Sequence, residues 1–185
     1  MIANEIIVES KRKNISLLLN KYENYVFLDL TSKSDEKWVK FSPFYPHGKI
    51  PIPFSIETFG ETVEGIWQGL KVFKNYGIDI ATFNIKNMKG IKRTARKYGE
   101  ITGHQKGINS KEILNYLDAK KYIYIPTYKW VLENKLQEEI KELRKMLVKN
   151  NLVLLDYNVN MELYNNKPLS HAFLVKLYLE NRYPD

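Results

Sequence analysis

A chain of 185 residues with 44% hydrophobic and 27% charged side chains can bury most of its apolar surface without disulfides or a structural metal, so one domain is expected. It contains no cysteine, which excludes disulfides, thiolate zinc sites, iron–sulfur ligation and a cysteine nucleophile, and which fits a reducing, cytoplasmic compartment. The net charge of +8 and pI near 9.4 create a positive field that favours encounters with phosphates or nucleic acid.

The opening Met1-Ile2-Ala3-Asn4-Glu5 reaches polar residues before any long apolar run. No later stretch approaches the roughly 18 apolar residues of a membrane span, so neither secretion nor a membrane partner is expected. Ile6-Ile7-Val8 reads as a short strand. A helix from about Ser10 to Lys21 follows, capped by Ser10, with Ile15, Leu18 and Leu19 on one face. Tyr25 to Leu30 reads as a second strand. Between Phe41 and Phe54 stand Pro43, Pro46, Pro51 and Pro53, which remove backbone donors and rule out a helix or a central strand. A stiff aromatic loop of this kind suits the wall of a pocket, and Phe44, Tyr45 and His47 are its candidate contacts.

The next segment predicts a helix over Thr62–Asn75, with Val63, Ile66, Leu70 and Phe73 on the core side. Glu64, Gln68 and Lys71 then share another face, within side-chain reach of one another. Gly65 and Gly69 each cost about 1 kcal/mol inside a helix relative to alanine, a sign that something approaches that backbone. Asn87–Tyr98 reads as a basic amphipathic helix ended by Gly99, a further helix starts near Lys111, and Tyr122–Ile125 reads as a strand stopped by Pro126. The longest helix is predicted from Thr127 to Lys149 on the stripe Tyr128, Val131, Leu132, Leu136, Ile140, Leu143 and Leu147. Leu152–Tyr157 is a strand by composition, and Ser170 caps a last helix reaching about Asn181 that buries Phe173, Leu174, Leu177 and Tyr178. The sum is a single helix-rich α+β domain around a small β-sheet, with no repeat or linker to divide it.

No phosphate-binding glycine loop, dinucleotide fingerprint, nucleophile elbow or HExxH sequence is present, and His47, His104 and His171 are scattered. No metal and no cofactor is therefore expected. The Glu64, Gln68, Lys71 set suits either a polar binding face or a solvated ladder. The run from Lys86 to Lys106 carries Lys86, Lys89, Lys92, Arg93, Arg96, Lys97 and Lys106 against Glu100, as a nucleic-acid surface or a solvated face would. Asp156, Asn158 and Asn160 alternate at the end of the last strand, as a sugar-binding row or as a polar edge.

Lys40-Phe41-Ser42-Pro43-Phe44-Tyr45, followed by Val63-Glu64-Gly65-Ile66-Trp67-Gln68-Gly69-Leu70-Lys71-Val72-Phe73, resembles the NADAR family. Leu154 to Asn160 and Leu169 to Leu177 align loosely with that family's closing strand and helix. The resemblance covers residues from about Phe41 onward and leaves the first 40 as an N-terminal strand-helix-strand extension. Departures from the pattern are Gly65 in place of a histidine, Pro43 in place of an asparagine, Tyr164-Asn165 in place of a Trp-Gly turn, and Met161 where an acid is expected, with Glu162 beside it. The resemblance implies an N-glycosidase that splits a base from a ribose carbon, acting on an ADP-ribosylated base or a related phosphoribosyl intermediate. In that reading Glu64 stabilises positive charge on the sugar or serves as general base, and Asp156 is the second carboxylate. Gln68, Asn158 and Asn160 contact sugar or base, Lys71 with Arg93 the phosphates, and Phe44, Tyr45, His47, Trp67 and Lys89 are further substrate contacts. The partner is a phosphorylated, nucleotide-like small molecule or an ADP-ribosylated nucleic acid. A module that binds such a nucleotide without cleaving it and a basic nucleic-acid-binding protein are the alternatives.

Overall fold

The computed structural model of the chain describes residues 4–34 and 37–184. The tripeptide Met1-Ile2-Ala3, part of the N-terminal reading, lies outside the described residues. Among those described, no helix is long and apolar enough to cross a membrane. The residues gather into two compact units, one from the described residues up to Ser42 together with Leu136–Pro184, the other Pro43–Lys135. Both mix helix and strand, as the predicted elements do.

In the first unit, β1 (Ile6–Ser10), β2 (Tyr25–Asp29) and β8 (Asn151–Asp156) form a parallel sheet in the order β1-β8-β2. The central strand is buried at five successive positions, Leu152 to Asp156, because a parallel sheet is covered on both faces. Val153 and Leu155 meet Leu18 of helix α1 (Ile15–Lys21) on one side. Helices α7 (Gln137–Lys149) and α8 (His171–Leu179) pack on the sheet as well. The first 40 residues thus supply two of the three strands here. Helix α1 begins later than predicted. Asn14, not Ser10, is its cap, accepting from the Ser16 N–H, and of the predicted face only Leu18 is buried while Ile15 and Leu19 are exposed.

The second unit holds β3 (Ile50–Pro51) paired with β4 (Phe59–Gly60), then α2 (Val63–Gly69), then the antiparallel sheet β5 (Lys71–Phe73), β6 (Ile101–Gln105) and β7 (Ile113–Leu114). The proline segment is a loop ending in the two-residue β3, as its missing donors require. The predicted helix over 62–75 stops at Gly69, and Lys71 to Phe73 pair with β6 instead. Short helices α3 (Ile80–Phe83) and α4 (Ala95–Tyr98) follow. Only this last turn of the predicted basic helix forms, and residues 85–94 are irregular.

Near Lys111 the chain forms β7 and then α5 (Tyr116–Ala119), and Tyr122–Ile125 is helical rather than extended. A π-turn over Lys120–Tyr124 joins α5 to α6 (Ile125–Asn134), with the Ile125 N–H bonding the Lys120 carbonyl five residues back. The wider turn accommodates Pro126, which has no N–H to give. The Thr127 hydroxyl bonds the Ile123 carbonyl at 2.5 Å, so Thr127 lies inside a helix and does not cap one. The predicted long helix is α6 and α7, separated at Lys135 and Leu136, and Tyr128, Val131, Leu132, Leu136, Ile140 and Leu143 of its stripe are buried. Ser170 caps α8 through the Phe173 N–H, as expected.

What approaches the glycines of α2 is α3. A Cβ on Gly65 would stand 2.7 Å from Thr62 Oγ1 and 3.0 Å from the Thr82 carbonyl, and one on Gly69 would stand 2.1 Å from the Phe83 ring. Phe83 is itself fully buried and has nowhere to move. Overpacking of about 1–3 kcal/mol therefore outweighs the roughly 1 kcal/mol that alanine gains in helix propensity. Gly69→Ala is expected to lower the unfolding midpoint in urea, while Gly77→Ala, with nothing within 4 Å of the added carbon, leaves it unchanged or raises it slightly.

Candidate functional site

Thr62 opens α2 by accepting from the Gly65 N–H at 2.7 Å, and the Glu64 N–H bonds the Pro43 carbonyl at 2.8 Å. The second bond ties the glutamate to the start of the proline loop. Glu64, Gln68 and Lys71 are 8%, 5% and 9% exposed, so the solvated-ladder reading is excluded. The Gln68 Nε2 donates to Glu64 Oε1 at 2.8 Å, and Gln68 Oε1 accepts from Lys71 Nζ at 2.8 Å and from the Arg93 N–H at 3.0 Å. Two donors on one side and a carboxylate on the other fix the orientation of that amide. Burial pushes the Lys71 amine below its usual range; the Glu64 carboxylate opposes this, and the cations Arg93 and Lys92 add to it.

Lys71 faces this row from a strand rather than from the helix. Directly across the β5–β6 pairing stands His104, whose ring lies 3.7 Å from that of Trp67 at an interplanar angle of 30°. The Trp67 indole also meets Tyr116 and Tyr124 edge-on, at 5.7 and 5.6 Å. Burial, with the Lys71 charge adding to it, drives the His104 pKa down to about 3, which makes the ring neutral. Burial and the Glu64 charge push the Tyr116 phenol up to about 12. Lys120, on the π-turn, is 2% exposed, and its amine lies 5.6 Å from the centre of the Tyr116 ring. Burial lowers its pKa. A carboxylate, two buried amines, a phenol and a neutral imidazole therefore belong to one unit.

Arg93 does not reach outward for a phosphate. Its two terminal nitrogens bond the carbonyls of Gln68 (3.3 Å), Lys71 (2.6 Å) and Gly77 (2.8 Å), and its guanidinium lies 5.0 Å from the ring centres of both Phe73 and Tyr98. It is the internal clamp that holds the end of α2, strand β5 and the following turn together. Lys89 and Lys92, in contrast, are exposed, and Lys92 Nζ sits 5.5 Å from the centre of the Phe44 ring. Phe44, Tyr45 and His47 are half-buried, with the rings of Tyr45 and His47 4.8 Å apart.

Asp156, Asn158 and Asn160 belong to the other unit. Strand β8 ends at Asp156, and the next residues form successive side-chain turns in place of an alternating row: the Asn158 N–H bonds Asp156 Oδ1, the Asn160 N–H bonds Asn158 Oδ1, and the Glu162 N–H bonds Asn160 Oδ1. The amide groups of both asparagines donate to the Pro168 carbonyl, closing the loop before α8. Asp156 Oδ2 accepts from Ser170 Oγ at 2.7 Å and pairs with His171 Nδ1 at 3.0 Å. Burial alone would raise its pKa, but the His171 charge and these hydrogen bonds bring it to about 2. The carboxylate is thus held ionised by its bonds to Ser170 and His171.

Sequence spacing reached Glu64, Gln68 and Lys71 but not Tyr116 or Lys120, and it gave His104 no role. Contacts between residues this far apart in sequence, such as Lys71 with His104 and Trp67 with Tyr116, leave no periodic trace. Among the described residues, no three His, Cys, Asp or Glu side chains cluster so as to hold a metal.

No curated protein matches the chain. Residues 10–175 match a family model, which spans elements of both units, and on that match the chain belongs to the family of unknown function DUF6939.

Proposed function

We propose that the protein is an N-glycosidase that hydrolyses the bond between ribose and base in an ADP-ribosylated base or a related phosphoribosyl nucleotide. The observation that carries this reading is the buried row Glu64–Gln68–Lys71, in which an amide of fixed orientation holds a carboxylate largely out of water. Departure of a base leaves positive charge on the sugar. A carboxylate at low dielectric opposes that charge far more effectively than one in water, and it can take the proton of the attacking water. The sequence resemblance at Lys40–Tyr45 and Val63–Phe73 supports the same reaction class. Exposed Lys86, Lys89, Lys92, Arg96 and Lys97 supply the positive surface a phosphorylated ligand or nucleic acid needs. Arg93 is not part of that surface.

The commitment of Asp156 to His171 favours a second reading, a module that binds the nucleotide without cleaving it. Incubation with guanosine-linked and thymidine-linked ADP-ribose, followed by chromatography of the products and calorimetry with ADP-ribose, separates the two. Free base released above the uncatalysed rate is the expected result. Saturable binding with no released base would replace the enzyme by the module, and neither outcome would remove both.

A further inference from the structure

His104 is 1% exposed, and neither of its ring nitrogens has a hydrogen-bond partner or access to bulk water. A neutral imidazole carries one N–H donor and one lone pair, and burying both unmet is costly enough that native proteins rarely do so without a functional or ligand-related reason. The position is not slack in the fold. His104 is held by β-pairing to Lys71 on one side and Leu114 on the other, and by the Trp67 ring 3.7 Å away. Tyr116 and Tyr124, which meet the same indole edge-on, are half-buried and connect this aromatic group to the surface. Lys71, the residue opposite His104, is bonded to Gln68 and through it to Glu64.

We infer that His104 is a binding residue for the uncharged, planar base of the ligand, giving that base the hydrogen bond its own ring lacks while Trp67 and the two tyrosines supply apolar aromatic surface. This deepens the N-glycosidase reading and rests on it for the place of the base beside Glu64. The chemistry favours a base over the other parts of a nucleotide. A phosphate needs positive charge, which a ring kept neutral by burial and by Lys71 cannot offer. Flat heteroaromatic rings, by contrast, stack on aromatic side chains and present donors and acceptors at their edges.

The test uses the full chain labelled with ¹⁵N-histidine, with 9-methylguanine, nicotinamide and ribose 5-phosphate as probes at pH 7. A base probe should shift the His104 ring-nitrogen resonances, and ribose 5-phosphate should leave them in place. By calorimetry, His104→Phe should weaken binding of the responsive base at least tenfold, His104→Gln less, and neither should alter binding of ribose 5-phosphate. Ring resonances unmoved by both bases would overturn the inference and assign the two nitrogens to buried water. So would base affinity unchanged in His104→Gln, the variant chosen in case the phenylalanine does not fold. Base release by the wild type with no effect of either substitution keeps the enzyme and removes this role. Base binding that depends on His104 without any hydrolysis removes the enzyme and keeps it.

Discussion

Glu64→Gln is expected to lower base release by about 10²–10⁴-fold, the range that a positioned acid–base group contributes, while leaving the unfolding temperature close to that of the wild type. The substitution preserves shape and retains an oxygen where Gln68 Nε2 donates at 2.8 Å. The charge is removed and the second oxygen becomes an NH2 donor, at a position where α2 is held by its Thr62 cap and by the backbone bond to Pro43. Loss of turnover with an unchanged fold would locate the effect in the reaction. The Michaelis constant should move little, because the charge matters most when the sugar becomes cationic and not when the ground state binds. Turnover within threefold of the wild type would take Glu64 out of the chemistry. A Lys71 amine whose titration moves in the variant would add independent support, since the Glu64 charge is what opposes the lowering of the Lys71 pKa.

The core of this fold was more legible in the sequence than its connections. Tyr25–Asp29, the buried run Leu152–Leu155 and the Ser170 cap follow from local chemistry: strand-forming apolar runs and a hydroxyl placed to accept from an open helix end. The end of α2 does not. Val63, Ile66, Leu70 and Phe73 fit a helical period, yet the chain leaves the helix at Gly69 because β6, thirty residues on, offers Lys71–Phe73 a partner. Tyr122–Ile125 has strand-forming side chains, and packing on neighbouring helices overrides that preference. Arg93 shows the limit for charge patterns. A run of basic residues gives no indication of which one is turned inward to bond three carbonyls. Spacing still points to Glu64, Gln68 and Lys71 although α2 ends at Gly69, because Lys71 opens β5 only three positions after Gln68 and its amine reaches Gln68 Oε1 at 2.8 Å.

Asp156→Asn is expected to cost about 3–5 kcal/mol near pH 6, the usual penalty for breaking a buried ion pair by removing one partner. It should also abolish the pH dependence that the pair confers. His171 Nε2 stands 2.8 Å from the Leu30 carbonyl, which can only accept, and Nδ1 stands 3.0 Å from the Asp156 carboxylate, which also accepts. Both nitrogens therefore carry protons, and the ring is an imidazolium. Burial alone would lower its pKa, but the Asp156 charge, the bonds to Asp156 and Leu30, and the Asp29 charge raise it above the ordinary histidine value. The stabilisation from His171 is thus complete below about pH 6.5 and is lost as pH rises through the raised folded value. Asp156, brought down to about 2 from 3.8, contributes in the opposite sense: its stabilisation is present above about pH 4 and is lost as pH falls towards 2. The pair contributes most between those limits. Urea unfolding midpoints measured from pH 3 to 9 should decline on both sides for the wild type, and the variant should approach it at each extreme. Parallel profiles, displaced by a constant amount at every pH, would show that His171 is neutral and that the two residues are joined by a simple hydrogen bond.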